Sequence, residues 1–264
     1  HVPDKDDLNV REYLRMRNAH KDAVKKVKQQ ILAFLLRQGI KYSATNWTKA
    51  HITWLHGLKF DHVLLKETLD EYITSLENYT AKLERLDKRI GEFAQGDKYQ
   101  EKVAELGCLL GIKTQAAMTM ISEISDFSRF RTASEFASFL GLVPGENSSG
   151  EKTQRTSITK SGNSQCRKTL IEAAAGICRG KVGHKSKELL RRQALCNNPI
   201  AISYADRANE RLRSKFYRLN LRNKKPANVA KTAVARELAC FIWGIMTDTY
   251  DGKVPRSDEY ALGK

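Results

Sequence analysis

The chain has 264 residues, 41% of them hydrophobic and 8% aromatic, enough for one large domain or two smaller ones with a buried core. Charged residues make up 29%, and a net charge of +16 with a pI near 9.7 points to a polyanionic partner, nucleic acid ahead of an acidic membrane face. No run of about 18 apolar residues exists, which excludes a membrane-spanning helix. Five scattered cysteines without a CxxC pair read as buried thiols of a reducing cytosol, and argue against disulfides or a His/Cys metal site.

The opening "HVPDKDDLNV" has neither an initiator Met nor a signal-peptide pattern, so the sequence is expected to come from the middle of a longer protein. From Asp6 to Arg37, Val10, Leu14, Val24, Val27, Ile31, Phe34 and Leu35 fall at helical spacing, and Gly39 supplies a C-terminal stop. A shorter aromatic segment with Trp47, Trp54 and Phe60 follows. Next, Leu65, Leu69, Tyr72, Leu76, Tyr79, Leu83, Leu86, Ile90 and Phe93 alternate steps of four and three, the a/d spacing of a coiled-coil seam. Each long helix would reach roughly 45 Å at 1.5 Å per residue. The pair is expected to form an antiparallel hairpin with the aromatic segment at its tip. Whether the seam is internal or shared between subunits stays open.

After "AQGD" the pattern changes. "VAELGCLLGIKTQAAMTMISEI", Val103 to Ile124, reads helix, tight turn at Gly111, helix. This resembles a helix-hairpin-helix, whose turn can cradle a DNA phosphate, but Lys113 replaces the second glycine of the usual Gly-x-Gly. A plain hairpin used for packing fits equally well. In "TASEFASFLGLVP", Thr132 and Glu135 form a capping box and Gly141 closes the helix. A hydroxyl-rich, basic loop from Pro144 to Asn163 comes next, with a short β-hairpin expected near residues 141–158. Beyond it lie a helix in "NSQCRKTLIEAAAGICR" and a basic stretch, "GKVGHKSKELLRR". A helix from about Ile200 to Leu221 follows, with Pro226 after its end. A final helix runs from about Asn228 to Thr247. Residues 147–256 hold roughly +15 of the net charge, so the charged surface is expected in this half.

Taken together, "EISDFSRF", "ASFLGLVP", "SSG", "ITKSGN" and "CRKTLIEAA" occur in order and at close spacing. This set is similar to the C-terminal transposase domain of the insertion sequence 110 family, also labelled after the related elements 116 and 902. The resemblance is strong over residues 103–180 and looser over the N-terminal helix. It implies a site-specific DNA recombinase guided by a structured bridge RNA that pairs with target and donor DNA. It also implies a homo-oligomer, dimer or tetramer, in the bacterial cytoplasm at the nucleoid, with no membrane partner. The active site would be composite, with magnesium held by a DEDD cluster on an N-terminal RuvC-like domain and the serine nucleophile on the C-terminal domain. Those acids would precede the "VPD" segment. Asp4, Asp6 and Asp7 follow the last matching motif and read as acids favoured at a helix N-terminus.

The expectation is therefore a mainly α protein: residues 1–97 as helical hairpin, 98–250 as transposase domain, 251–264 as a tail. Ser149, beside Ser148 and before Gly150, aligns with the family's serine and is the expected nucleophile. From spacing alone, Ser-Ser-Gly reads as an ordinary turn. Arg155, Lys160, Arg167 and Lys168 are the expected phosphate contacts, each otherwise a solvated surface charge. No general base stands out near the loop; Glu146 and Glu151 are the nearest acids. The chain alone is expected to be inactive and to hold no cofactor, with magnesium belonging to a full-length enzyme. A non-catalytic nucleic-acid-binding and oligomerisation module, or a helical adaptor, are the alternatives.

Overall fold

The computed structural model describes residues 4–146 and 155–250. The chain is mainly α and divides into two compact units, Glu12–Ile90 and His1–Arg11 with Gly91–Lys264. Among the described residues, no helix is long and apolar enough to cross a membrane.

The first unit is built from most of α1 (Lys5–Arg37), α2 (Lys49–Gly57) and most of α3 (Val63–Phe93). Contacts between α1 and α3 run in opposite directions along the two helices. Arg17 meets Asp87 through two hydrogen bonds of 2.7 and 3.0 Å, His20 lies beside Tyr79, and Phe34 beside Tyr72. The pairing is therefore antiparallel and within one chain. Its core joins Val27, Ile31 and Phe34 of α1 to Leu69, Ile73 and Leu76 of α3, with Leu55 of α2 between them. The a/d stripe locates the buried face but misses Ile73, and it includes Phe93, which is 47% exposed. A seven-residue template drifts by about 20° per heptad from a straight 3.6-residue helix, which over four heptads carries Phe93, at the far end, off the buried face.

At the end of this unit, Thr48 caps α2 by accepting from His51 N at 3.2 Å. His51 is fully buried among Tyr42, Trp47 and Trp54.

The second unit contains α4 (Gln100–Gly107), α5 (Thr114–Ile124), α6 (Ala133–Phe139), β1 (Pro144–Glu146), β2 (Arg155–Ile158), α7 (Ser164–Ile177), α8 (Lys187–Gln193), α9 (Pro199–Tyr217) and α10 (Ala227–Met246). Helix α10 is apolar nearly all round its second half, which fits its place against α6, α7 and α9. Asn198 starts α9, its side chain accepting from Ile200 N and Ala201 N, with Pro199 in the first turn. The helix passes into a π-helical turn over Arg218–Arg222.

The basic stretch after α7 contains a helix that its charge hides. Ser186 caps α8 by accepting from Leu189 N at 3.2 Å, and Leu189 is fully buried. The capping box of α6 is also modified. Thr132 accepts from Glu135 N, but Glu135 Oε2 accepts from Arg131 N, one residue earlier than the box requires.

All five cysteines are free and buried, as their spacing suggests. Burial pushes the Cys178 and Cys240 thiols up to about 11, so both stay protonated and pack as small apolar groups. Asp7 does more than face a helix dipole. It is buried, accepting from Tyr99 Oη at 2.8 Å and Ser125 Oγ at 2.5 Å, with Lys98 Nζ 2.9 Å away.

Candidate catalytic loop and nucleic-acid interface

The helix–turn–helix at Gly111 packs inward. Gly111 has φ +80°, and a Cβ there would overlap the backbone of Ala173 in α7. Leu110 N donates to Asn209 Oδ1 at 2.7 Å, Asn209 Nδ2 donates to Cys108 O at 3.0 Å, and the Arg192 guanidinium donates to Ile112 O. The turn's polar groups are thus taken up by α8 and α9, and its backbone rests on α7. This favours packing over the phosphate-cradle alternative.

Downstream of α6, β1 and β2 form an antiparallel hairpin with Pro144 opposite Ile158 and Glu146 opposite Arg155. Residues 147–154 join the strands and lie outside the described residues, so the Ser149 and Ser148 expectations fall there too. What is described is the base on which the hairpin stands. Thr159 N donates to Val143 O at 3.0 Å, and Lys160 N to Gly141 O at 3.1 Å. Gly162, at φ +72°, brings its α-carbon so close to Phe139 that a Cβ would overlap the Phe139 carbonyl oxygen. Arg167 Nη1 then donates to Leu140 O at 3.0 Å and to Ser161 O at 2.9 Å, tying α6's end to the strand that leaves the hairpin.

Below this clamp lies a partly buried polar chain. Asn163 caps α7, its Oδ1 accepting from Cys166 N at 3.0 Å, while its Nδ2 donates to Glu123 Oε2 at 2.7 Å. Glu123 is buried on α5, with Arg11 Nε 3.6 Å from the same oxygen. Arg11 also donates to Ser122 O at 2.8 and 3.1 Å. The "KSGN" segment is therefore fixed from beneath by an acid and an arginine far away in sequence.

The four expected phosphate contacts divide on this geometry. Arg155 opens β2, and Lys160 is exposed at the hairpin base with φ 57°. Lys168 is exposed at the start of the second turn of α7, whereas Arg167 is half-buried and committed to the clamp. Lys160 and Lys168 sit near one another in sequence at the same end of α7, and Arg167 holds the frame they stand on. Among the described residues, no three His, Cys, Asp or Glu side chains converge where they could hold a metal ion.

A model of the transposase IS116/IS110/IS902 family matches residues 105–189, from the end of α4 into α8. Those residues carry that family's transposase domain. Over 245 residues, 92% of this chain, it is 34% identical to the Sinorhizobium fredii protein y4qE, which carries the name of a transposase. It is 28% identical over 227 residues to the transposase for insertion sequence element IS1533 of Leptospira borgpetersenii, and 30% identical over 135 residues to that for IS1111A of Coxiella burnetii. These alignments cover 84% and 47% of this chain. The chain spans 58%, 64% and 37% of those three relatives.

The transposase-family segment thus contains both the hairpin and its clamp. Sequence reading did not single out Glu123, Asn163 or Arg11. The available signal was an acid, Glu123, on an otherwise apolar helix face, which demands a buried partner.

Proposed function

We propose that this chain supplies the serine nucleophile of a DNA transposase. Ser149 Oγ would form a new bond to a DNA phosphorus while one of that phosphate's ester bonds to deoxyribose breaks. The Ser149 proton would pass to the departing deoxyribose oxygen, and in the second step the hydroxyl of a partner strand's end would attack the same phosphorus and displace Ser149 Oγ, which regains a proton. The observation that supports this reading is the clamp beneath the hairpin. Gly141, Gly162 and Arg167 fix both flanks of the segment that contains Ser149, and Asn163 and Glu123 lock the flank to α5 and α7. Positioning of this kind is what a nucleophile needs and what an ordinary surface turn does not.

Lys160 and Lys168, with Arg155 at the strand start, would place positive charge against the phosphoryl oxygens as negative charge develops there. The acids that bind magnesium, the structured guide RNA and assembly into a dimer or tetramer belong to the same proposal. They rest on the family resemblance and on the +16 charge. Alone, this chain would bind nucleic acid without cutting it.

The test is recombination by a longer protein that contains this chain. Ser149→Ala should abolish excision while leaving DNA affinity within about twofold, since one hydroxyl contributes little binding. Ser148→Ala should recombine nearly normally. Recombination by the Ser149 variant would remove the nucleophile assignment and leave a nucleic-acid-binding module.

A further inference from the structure

Helix α7 has two ends, and the hairpin occupies only one. At the other end, Arg213 donates to Ile177 O, Lys181 O and His184 O, and Tyr217 Oη donates to Gly180 O at 3.0 Å. This packs the end of α7 against the last turns of α9. The chain then runs through the π-helical turn and returns as α10. Between Glu210 and Glu237 the sequence has no carboxylate. Arg211 and Lys215 share the single carboxylate of Glu237, and Arg213 is buried on carbonyls. Arg218, Arg222, Lys224 and Lys225 are exposed, and none has a carboxylate partner among the described residues. The corner's backbone is nonetheless well held. Asn223 N donates to Arg218 O at 2.9 Å, Lys225 N to Leu219 O at 2.9 Å, and Asn220 Nδ2 to Lys225 O at 3.0 Å.

We propose that this corner, carrying Arg218, Arg222, Lys224 and Lys225, is a second DNA-binding surface that seats the phosphate backbone of duplex DNA flanking the reacting phosphate. The proposal rests on the reading of the hairpin as the reaction site. Three observations support it. A π-helical turn is a costly local geometry that recurs at functional positions, and here it sets Arg218 and Arg222 one wide turn apart on the same side. Four exposed cations held together without acids repel one another, a cost that a polyanion removes. The corner follows directly on Tyr217, which packs just past the far end of α7, and α7 itself is about 21 Å long at 1.5 Å per residue. That is about six base pairs of duplex at 3.4 Å each, so one duplex could span both places. Duplex DNA is favoured over an anionic membrane because the corner offers a rigid row of cations and only isolated apolar side chains, Leu221 and Val229, to insert into lipid.

The test uses the whole chain with a variant in which Arg218, Arg222, Lys224 and Lys225 are all replaced by Gln. Binding to a 30-base-pair DNA duplex is followed by fluorescence anisotropy over a series of salt concentrations. Circular dichroism, run in parallel, confirms an unchanged fold. Each lost phosphate contact lowers the slope of log K against log salt by about 0.9, so a drop of about 2–4 is expected, with at least tenfold weaker binding near 0.1 M salt. Single Lys224→Gln and Arg222→Gln variants should each remove about one contact, which keeps the test informative if the quadruple variant misfolds. An unchanged slope overturns the proposal. So does a loss seen only with duplex RNA or with anionic phospholipid vesicles. Ser149→Ala should leave the DNA slope intact, so failure of the corner and failure of the serine reading give different results.

Discussion

Asn163 Nδ2 donates to Glu123 Oε2 at 2.7 Å, so the residue that begins α7 is held by a carboxylate buried on α5. This contact places the exit of the hairpin at a fixed height above the helical core. It is also a point where a single atom can be changed without altering shape. Asn163→Asp keeps the oxygen that caps α7 but replaces the donor with a second carboxylate oxygen facing Glu123. It should cost clearly more stability at neutral pH than Asn163→Ala, which loses about 1–2 kcal/mol of cap and hydrogen bond. Denaturant midpoints of the two variants check this, and equal values would show that the two side chains do not meet.

Steric demand under the hairpin makes a sharper prediction. Gly162→Ala and Gly111→Ala each force a Cβ into a backbone carbonyl at positive φ, and should cost at least about 2 kcal/mol. Gly57→Ala has open space around it and should change the thermal midpoint little.

The first unit should lose stability in acid through His51. Its Nδ1 accepts from Trp47 N at 3.0 Å, and its Nε2 has no partner among the described residues. Burial lowers its pKa from the ordinary 6.5. Above that value the ring is neutral in both folded and unfolded chains and adds no pH dependence. As pH falls through about 6.5 the unfolded chain takes up the proton first, so stability declines. His51→Gln should flatten the dependence of the unfolding midpoint between pH 7 and 5. An unchanged slope would place the acid sensitivity elsewhere.

The seam gives a graded series. Leu69 is fully buried between α1 and α3, so Leu69→Ala should cost about 2–5 kcal/mol. Phe93, on the same sequence stripe but 47% exposed, should tolerate Ser within about 1 kcal/mol. Equal effects at the two sites would mean that the stripe is covered by something beyond this chain.

How legible these features are in the sequence depends on the length scale of the cause. Helical periodicity and turn chemistry act over a few residues, so α1, α3, the α6 cap and the hairpin at 144–158 can be read directly. Helix α8 is missed because its single buried anchor, Leu189, stands among charges. The Glu123–Asn163–Arg11 chain joins residues separated by 40 and 112 positions, and no local pattern records such a contact. The turn at Gly111 has the outline of a phosphate cradle, and only the approach of α7 reveals that it is a packing joint. Arg167 reads as a surface cation until the carbonyls of Leu140 and Ser161 are brought to it by the fold.

The central claim is that Ser149 takes the phosphoryl group, and trapping the covalent intermediate tests it most directly. A longer protein containing this chain would be incubated with a nicked, end-labelled DNA substrate, quenched in denaturant and digested. The modified peptide is then sequenced by mass spectrometry. The account predicts a nucleotide linked to Ser149, with the adduct absent in Ser149→Ala and retained in Ser148→Ala. A nucleotide on any other side chain, or an adduct that survives Ser149→Ala, would contradict it.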